Sequence, residues 1–421
     1  MRVLLSAYAC EPERGSEPGV GWNWVCQAAR FHEVWALTRA KNRGPIESAL
    51  ARQRIPSVHW VYFDLPRWAR FWKKEKKRRG IHLYYYLWQI CAYFVARKLH
   101  RRVGFDLVHH VTLVNYWMPS FVALLSVPFV WGPVGGGESA PHVFRHCFNL
   151  RGKLYEVMRD LAQRLGQLDP FVRLTGQRAV LGIATTAETE VRLRSLGARK
   201  VMVLSQVALP GEEIAWLGSF TSRQSGPFRL VSIGTLLHLK GFELGLRAFA
   251  RFRSRFPATE YWIIGDGPER KRLEKVAEAL GVARSVTFWG NIPRWQVLEK
   301  LVECDTLVHP SLHDSGGWVC VEAMAAGRPV ICLDLGGPAL QVTQETGAKI
   351  PAISPEQTVH DLAAAMERLA RDPGLRARMA RACRERVREQ FNWERKGNQL
   401  SALYDEIVRS HFQPDLRLVG T

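Results

Sequence analysis

The sequence predicts an α/β protein made of two doubly wound, Rossmann-like sheets in series. Two observations lead there. Short apolar segments alternate with helix-length segments in both halves of the chain, which is typical of parallel sheets. A stretch rich in proline, glycine and serine separates the two series. With 421 residues, 47% of them hydrophobic, the chain is long enough to bury a core in each half.

The first series occupies residues 1–207 and the second occupies residues 228–393, with residues 208–227 predicted as a linker and the helical residues 394–421 as a C-terminal segment. The predicted strands of the first domain are Val3–Ala9, Val34–Thr38, His59–Phe63, Leu107–Val111, Pro128–Gly132 and Gly182–Thr186. Those of the second domain are Leu230–Gly234, Tyr261–Gly265, Val286–Trp289, Thr306–Pro310 and Val330–Leu333.

The net charge of +20 is concentrated in the first half, because residues 1–204 hold 31 Lys and Arg against 14 Asp and Glu. Such a half indicates an anionic partner. The run FWKKEKKRRG at 71–80 precedes an apolar stretch at 81–99 that is rich in aromatic residues. We expect residues 70–102 to lie on an anionic membrane surface. A core helix behind a solvated basic loop is the alternative, and a spanning helix is disfavoured because the stretch is short.

The eight cysteines form no C-x-x-C pair, which favours free thiols in a reducing compartment over a disulfide framework or a zinc ribbon. The N-terminal residues resemble a buried strand and not a secretory signal. We therefore expect a cytoplasmic protein, peripheral at the inner face of the plasma membrane.

The most informative segment is His313–Gly337, which reads as a strand end, a glycine turn, a short helix and a second strand. Asp314 precedes the turn Ser315, Gly316 and Gly317, and the helix begins near Trp318. Backbone N–H groups at a helix N-terminus attract phosphate. Glu322 follows two turns later, where a carboxylate is able to accept hydrogen bonds from sugar hydroxyls. The segment therefore predicts a site for a sugar nucleotide.

Further candidate residues follow other predicted strands, where open α/β sheets bind ligands. In the second domain they are Gly234, Thr235 and Lys240, then Gly265 and Gly267. In the first domain they are Gly15 and Ser16, the pair His109 and His110, and Gly136 and Glu138 of the glycine loop WGPVGGGE. Strand alternation turns the two histidines to opposite faces of the sheet.

These motifs resemble family 4 retaining glycosyltransferases, which have the GT-B fold. Asp314 stands where the family has its first Glu, Glu322 stands at the second, and the helix and Gly-x-Pro-Val that follow match the family pattern. Gly234 and Lys240–Gly241 match its phosphate loop, although Thr235 replaces an arginine there. His238 or Arg270 is a candidate for the missing charge. The resemblance is strong in 228–345 and weaker in 1–200.

The resemblance implies two Rossmann-like domains that face each other across a cleft, with the C-terminal helix crossing back. It implies a retaining transferase that moves a sugar from a UDP- or GDP-linked donor to a lipid-linked or oligosaccharide acceptor in exopolysaccharide or envelope glycan synthesis. The implied catalytic residues are Asp314, Lys240 and His110. The implied donor contacts are Gly15, Ser16, Gly234, Thr235, Lys240, Gly265, Gly267, Ser315, Gly316, Gly317, Trp318 and Glu322, and the acceptor contacts are His109, Gly136 and Glu138.

No cofactor and no metal are expected, since the sequence lacks the Asp-x-Asp of metal-dependent transferases. Three alternatives remain open. The same fold serves nucleotide-sugar epimerases, which need no acceptor. A pI near 10 also fits a nucleic-acid-binding protein, although the aromatic residues are not interleaved with Lys and Arg along a sheet. An inactive scaffold would explain the departures at Thr235 and Asp314.

Overall fold

The computed structural model describes residues 1–66, 81–221 and 226–412. The chain divides into two compact units. The first consists of Met1–Gly137, Asp160–Gln206 and Trp393–Thr421, and the second of Glu138–Arg159 and Val207–Asn392. Each unit is built around one parallel sheet with helices packed on it.

The sheet of the first unit has the strand order β3-β2-β1-β4-β5-β6-β7. Its middle strands β1, β4 and β5 are buried except at Arg2, as expected when helices cover both faces. The strand order reverses between β1 and β4, so the carboxyl ends of those two strands flank the position where such sheets bind ligands. The strands are β1 (Arg2–Ala7), β2 (Glu33–Arg39), β3 (Val58–Phe63), β4 (Leu107–Thr112), β5 (Phe129–Val134), β6 (Ala179–Ala184) and β7 (Val201–Val203).

Most helices of the first unit follow a strand and return the chain to the other end of the sheet. There are three exceptions: one helix leads from the second unit back into the first, the next helix follows it directly, and the last described helix follows the second unit. They are α1 (Ser16–Ala28), α2 (Arg43–Arg52), α3 (Ile81–Val103), α4 (Leu150–Leu168), α5 (Pro170–Arg178), α6 (Ala187–Ser195) and α15 (Trp393–Phe412).

Helix α3 supplies much of the core of the first unit. Tyr84, Tyr85 and Trp88 are buried, and Tyr8 meets the rings of Tyr85 and Trp88 edge-on at 4.9 and 5.0 Å. For these rings the core alternative holds, and they are not available to a membrane. The basic run at 71–80 lies outside the described residues. Within the described residues, no helix combines the length and the hydropathy needed to cross a bilayer.

The second unit contains a six-stranded parallel sheet in the order β10-β9-β8-β11-β12-β13, with its reversal between β8 and β11. The strands are β8 (Phe228–Ile233), β9 (Thr259–Ile264), β10 (Val286–Gly290), β11 (Thr306–His309), β12 (Val330–Leu333) and β13 (Gly347–Ile350). The helices are α7 (Gly211–Gly218), α8 (Phe242–Arg253), α9 (Arg270–Ala279), α10 (Arg294–Val302), α11 (Trp318–Ala325), α12 (Gly336–Gln341), α13 (Pro355–Arg371) and α14 (Pro373–Gln390).

All eleven predicted strands are present. Strands β7 and β13 were not predicted, because VMV has only three residues and GAKI is not a continuous apolar run. The predicted linker is in part wrong, since α7 lies inside it and buries Ile214 and Leu217. Helix α15 belongs to the first unit. Residues 138–159, expected with the first domain, group with the second unit.

Candidate functional site

Four hydrogen-bond donors converge on the carboxylate of Asp314, in the loop between β11 and α11. Lys240 Nζ donates to Oδ2 at 2.5 Å and His309 Nε2 lies 3.2 Å from the same oxygen. The backbone N–H groups of Gly316 and Gly317 donate to Oδ1 at 3.1 and 3.0 Å. Lys240 follows β8 and Asp314 follows β11, so the cluster lies where the strand order of the second unit reverses.

The groups that surround Asp314 determine the charge of its carboxyl group. Burial alone would raise its pKa, but the charge of Lys240 and the hydrogen bond from His309 outweigh it and hold the pKa well below its usual range. Asp314 is therefore an anion seated at the N-terminus of α11. The N–H groups that the sequence predicts as a phosphate cradle are thus engaged by a side chain of the same loop.

Helix α12 packs against the Asp314 loop and holds it in place. Gly317 has a φ of 63°, and an added Cβ would lie 2.8 Å from Gln341 Oε1 and 2.9 Å from Pro338. Gln341 donates its amide to the carbonyl of Gly316, and the Asp314 carbonyl accepts from Gly337 N at 2.8 Å. A glycine is required at 317 because any side chain would be both strained and crowded.

The predicted glycine turns that follow β8 and β9 pack directly against each other. Gly265 has a φ of 133°, and an added Cβ would lie 2.0 Å from the Gly234 carbonyl. A Cβ at Gly267 would lie 2.6 Å from the Leu236 carbonyl. These glycines therefore allow the loops after β8 and β9 to pack closely beside Lys240. Thr235, which follows Gly234 in the loop after β8, is exposed.

Glu322 lies on α11, and its buried carboxylate belongs to an ion-pair network with Arg294 and Glu213 that the sequence did not indicate. Arg294 Nη2 donates to Glu322 Oε1 at 2.6 Å and also binds Glu213. Burial, and to a lesser extent the repulsion of Glu213, raises the pKa of Glu322 to about 7 even though Arg294 opposes the shift. The carboxyl group thus changes its charge near neutral pH.

Glu138 lies beside the Asp314 loop and not among the residues of the first unit. Its Oε2 accepts from Ser315 Oγ at 2.8 Å. Arg159, which sequence reasoning missed, donates to the Glu138 carbonyl and to His313 Nε2, at 2.5 and 3.1 Å. His313 is therefore a neutral acceptor, and burial together with the charge of Arg159 lowers its pKa to about 4. Arg159 and Glu138 together hold the first residues of the Asp314 loop in place, through His313 and Ser315.

The two candidates for the missing phosphate cation are both paired elsewhere. His238 Nε2 lies 3.4 Å from the buried Glu156 carboxylate. Arg270 binds Glu274 at 2.9 Å, next to Asp266 at 3.9 Å. Neither of these contacts includes Asp314 or Lys240.

In the first unit, Gly15 and Ser16 begin α1 directly after β1. Gly15 has open space where a side chain would be, and the exposed Ser16 has a φ of 65°, which is uncommon outside glycine. Glu17 follows, and its buried carboxylate accepts from the N–H of Leu113 at the end of β4. The loop thus presents exposed backbone at the strand reversal of this sheet.

His109 was predicted as an acceptor contact, and its side chain is wholly buried in this structure. Its Nε2–H donates to the Gly132 carbonyl and its Nδ1 accepts from the Tyr404 hydroxyl, both at 2.5 Å. Burial lowers the pKa of His109 to about 3. The ring is neutral and joins β4 to α15.

His110 turns to the other face of the sheet, as the alternation predicts. Its Nε2 lies 3.0 Å from the Tyr85 hydroxyl and 3.2 Å from the Thr112 carbonyl. Its Nδ1 is buried with no hydrogen-bond partner among the described residues. Burial lowers the pKa of His110 to about 4. Gly136, in the glycine loop, packs against Trp117 and accepts from Gln163 Nε2 at 3.0 Å.

Residues 220–386, the greater part of the second unit, match the family model of glycosyl transferases group 1. The chain is 32% identical over 196 residues to glycogen synthase from Mycobacterium tuberculosis, covering 46% of this chain and 46% of that protein. It is 31% identical over 215 residues to the lipopolysaccharide core biosynthesis glycosyltransferase LpsD from Rhizobium meliloti, covering 50% of this chain and 59% of that one. The chain thus spans about half the length of these relatives.

The fold extends the likeness to nearly the whole chain. The Anabaena protein Alr3699/HepE, crystallised in complex with UDP-glucose, superposes with a TM-score of 0.60 at 17% identity, covering 96% of this chain and all of that one. The two parallel-sheet units and this likeness confirm the predicted GT-B fold. The Asp314 cluster lies within the residues that match the group 1 glycosyl transferase model.

Proposed function

We propose that the protein is a metal-independent, retaining glycosyltransferase of family 4 that uses a UDP- or GDP-linked sugar. The observation that carries the proposal is the convergence of Lys240, His309 and two backbone N–H groups on one carboxylate. These four donors surround the two oxygens of a carboxylate. They would bind the oxygens of a phosphate equally well. The donor diphosphate would bind at this position in the second unit.

Binding of the diphosphate requires Asp314 to leave the N–H groups of Gly316 and Gly317. The side chain is short, so a rotation about its χ angles is sufficient to move it off these groups. Asp314 would then accept hydrogen bonds from the hydroxyls of the transferred sugar, while Lys240 would neutralise the phosphate. Asp314 would thus occupy the phosphate-binding N–H groups when no donor is bound, and would contact the sugar hydroxyls when donor is bound.

The chemistry follows from where charge develops. As the glycosidic bond breaks, the sugar becomes oxocarbenium-like and negative charge grows on the departing diphosphate. Lys240 and the N-terminus of α11 would stabilise that charge, as fixed donors do without reorganisation. The acceptor hydroxyl would approach the anomeric carbon from the face that the diphosphate leaves. Its oxygen would bond to that carbon while its proton passes to the leaving phosphate oxygen, so the configuration would be retained without a separate base. Glu322 would bind the ribose.

The acceptor would bind to the first unit, near Gly15, Ser16 and the glycine loop at Gly136. The basic charge of this half supports an acceptor displayed at an anionic membrane, such as a lipid-linked saccharide. The similarity to a lipopolysaccharide core transferase supports a role in envelope or exopolysaccharide synthesis. The protein would act as a peripheral enzyme at the inner face of the plasma membrane.

A thermal-shift panel tests the donor site. UDP, GDP, ADP and their glucose conjugates would be added to the wild type, and a ligand that binds only the folded state raises the melting temperature. UDP-glucose is the first candidate, because Alr3699/HepE was crystallised with it. We expect one nucleotide series to stabilise the protein, and no shift with any of them would contradict the proposal.

A turnover assay separates transfer from epimerisation. Release of nucleoside diphosphate from the identified donor would be followed with and without membrane lipid extract. A transferase requires the extract for rapid release and incorporates sugar into it. An epimerase interconverts the donor sugar at the same rate in either case, and that result would exclude transfer.

A further inference from the structure

Helix α4 presents an apolar face to solvent along its whole length. Among the described residues, eight of the large apolar side chains that are exposed lie on this one helix, so the exposure is concentrated and not scattered. They are Leu150, Leu154, Tyr155, Val157, Met158, Leu161, Leu165 and Leu168, with exposed fractions between 47% and 83%. A continuous apolar surface of this kind marks an interaction site.

The spacing places these side chains on one stripe. At about 100° per residue, all of them except Tyr155 fall within an arc of about 100°. The helix has 19 residues, so the stripe is about 28 Å long. It is wider than the two-position seam of a coiled coil, which favours a flat, deformable partner over a second helix.

The charges beside the stripe have one sign. Arg151 is exposed on one flank of the stripe, and Lys153 and Arg164 are exposed on the other. Of the two acids of α4, Glu156 is buried beside His238 and Asp160 is only partly exposed, so the fully exposed charges beside the stripe are all cationic. Long cationic side chains on both flanks suit an apolar face that sinks into a bilayer while its charges meet lipid phosphates.

We propose that α4 is the membrane-docking element of this protein, lying flat in the interface of a bilayer that contains anionic lipid. The net charge of the first half of the chain adds long-range attraction to such a surface. The proposal rests on the peripheral action proposed above and names the surface that performs it. It replaces the aromatic face of α3, whose Tyr84, Tyr85 and Trp88 are buried.

Vesicle flotation tests the proposal. The full chain would be mixed with vesicles of phosphatidylcholine, with and without phosphatidylglycerol. We expect the wild type to float with the anionic vesicles and the triple variant Leu154→Ser/Leu161→Ser/Leu165→Ser to lose binding by at least about tenfold. The triple variant Arg151→Gln/Lys153→Gln/Arg164→Gln should bind less and lose its preference for phosphatidylglycerol.

A matched control is the double variant Val191→Ser/Ile353→Ser, since both side chains are 66% exposed and lie away from α4. It should float like the wild type. Equal melting temperatures and equal shifts with the donor nucleotide would show that all variants are folded with an intact donor site. A second variant, with Lys73, Lys74, Lys76 and Lys77 changed to Gln, measures the contribution of the basic run independently.

Three outcomes would overturn the proposal. The first is flotation of the Leu154→Ser triple variant at the wild-type level, which would leave peripheral action intact and assign it elsewhere. The second is a wild type that binds neither type of vesicle while it still binds nucleotide. The third is a wild-type dimer in sedimentation velocity that the same variant converts to a monomer, because the partner of α4 would then be a second copy of the chain.

Discussion

Lys240 Nζ and Asp314 Oδ2 lie 2.5 Å apart although 74 residues separate them in sequence. The two residues are close together because β8 and β11 are parallel neighbours in the sheet, and Lys240 and Asp314 both lie in loops that follow these strands at the same end of the sheet. Asp314 also takes the two N–H groups that begin α11. In this structure the carboxylate therefore occupies the position that suits an anionic ligand.

The substitution Asp314→Asn tests the double role of that carboxylate. Without its charge, the amide competes less well for Lys240 and the N–H groups, so the affinity for nucleoside diphosphate should stay equal or increase. Transfer should fall by at least about 10²-fold, since the contact to the sugar hydroxyls is weakened in the transition state. Calorimetry and a turnover assay measure the two effects. Wild-type turnover in this variant would remove Asp314 from the mechanism.

The pH dependence of donor binding tests Glu322. Its pKa is raised to about 7, so the carboxylate that would accept from the ribose forms only above that pH. Nucleotide affinity should therefore increase as the pH rises from about 6 to about 8. Glu322→Gln should bind at all pH values like the wild type at low pH. An equally steep profile in the variant would assign the titration to another group.

His109 should make the protein less stable in mild acid. Its pKa is lowered from 6.5 to about 3 because the neutral ring is buried, so below pH 6.5 the unfolded chain binds a proton that the folded chain does not. The free energy of unfolding therefore decreases as the pH falls, by up to about 1.4 kcal/mol per pH unit for each such histidine. His109→Gln should flatten this slope, measured by urea unfolding. The exposed His146→Gln is the control and should leave the slope unchanged.

Gly317→Ala should destabilise the Asp314 loop. A Cβ there meets Gln341 and Pro338 and also carries the strain of a φ of 63°. Gly281→Ala is the matched control, because Gly281 has a φ of 69° but no atom within 4 Å of its added Cβ. Both variants should lose about 1 kcal/mol of stability from the backbone, and Gly317→Ala about 1–3 kcal/mol more from crowding. Equal melting temperatures for the two variants would contradict the tight packing behind the loop.

Much of this architecture could be predicted from local patterns. Strands β1 to β6 and β8 to β12 are mostly apolar runs, and a parallel sheet brings the turns that follow them to one edge. Asp314, Lys240 and the glycines between them were therefore identifiable without coordinates. Their environment was not, because the sequence does not tell whether a carboxylate faces a ligand or folds back onto its own helix.

The misses share a physical cause, which is contact between residues far apart in sequence. Glu138 meets Ser315 across 177 residues, and His109 meets Tyr404 across 295. Strand periodicity placed His109 correctly on one face but could not tell that α15 covers that face. Likewise only the fold shows that α3 buries Tyr84, Tyr85 and Trp88, whereas α4 exposes its apolar stripe.

Calorimetric titration of Lys240→Ala with nucleoside diphosphate measures whether Lys240 and the N-terminus of α11 bind the donor diphosphate. The control is Lys200→Ala, which removes an exposed lysine paired with Glu406 at 2.8 Å. We predict that Lys240→Ala weakens binding of the nucleoside diphosphate by at least about tenfold, while Lys200→Ala binds like the wild type. Equal affinities in all three proteins would contradict the account.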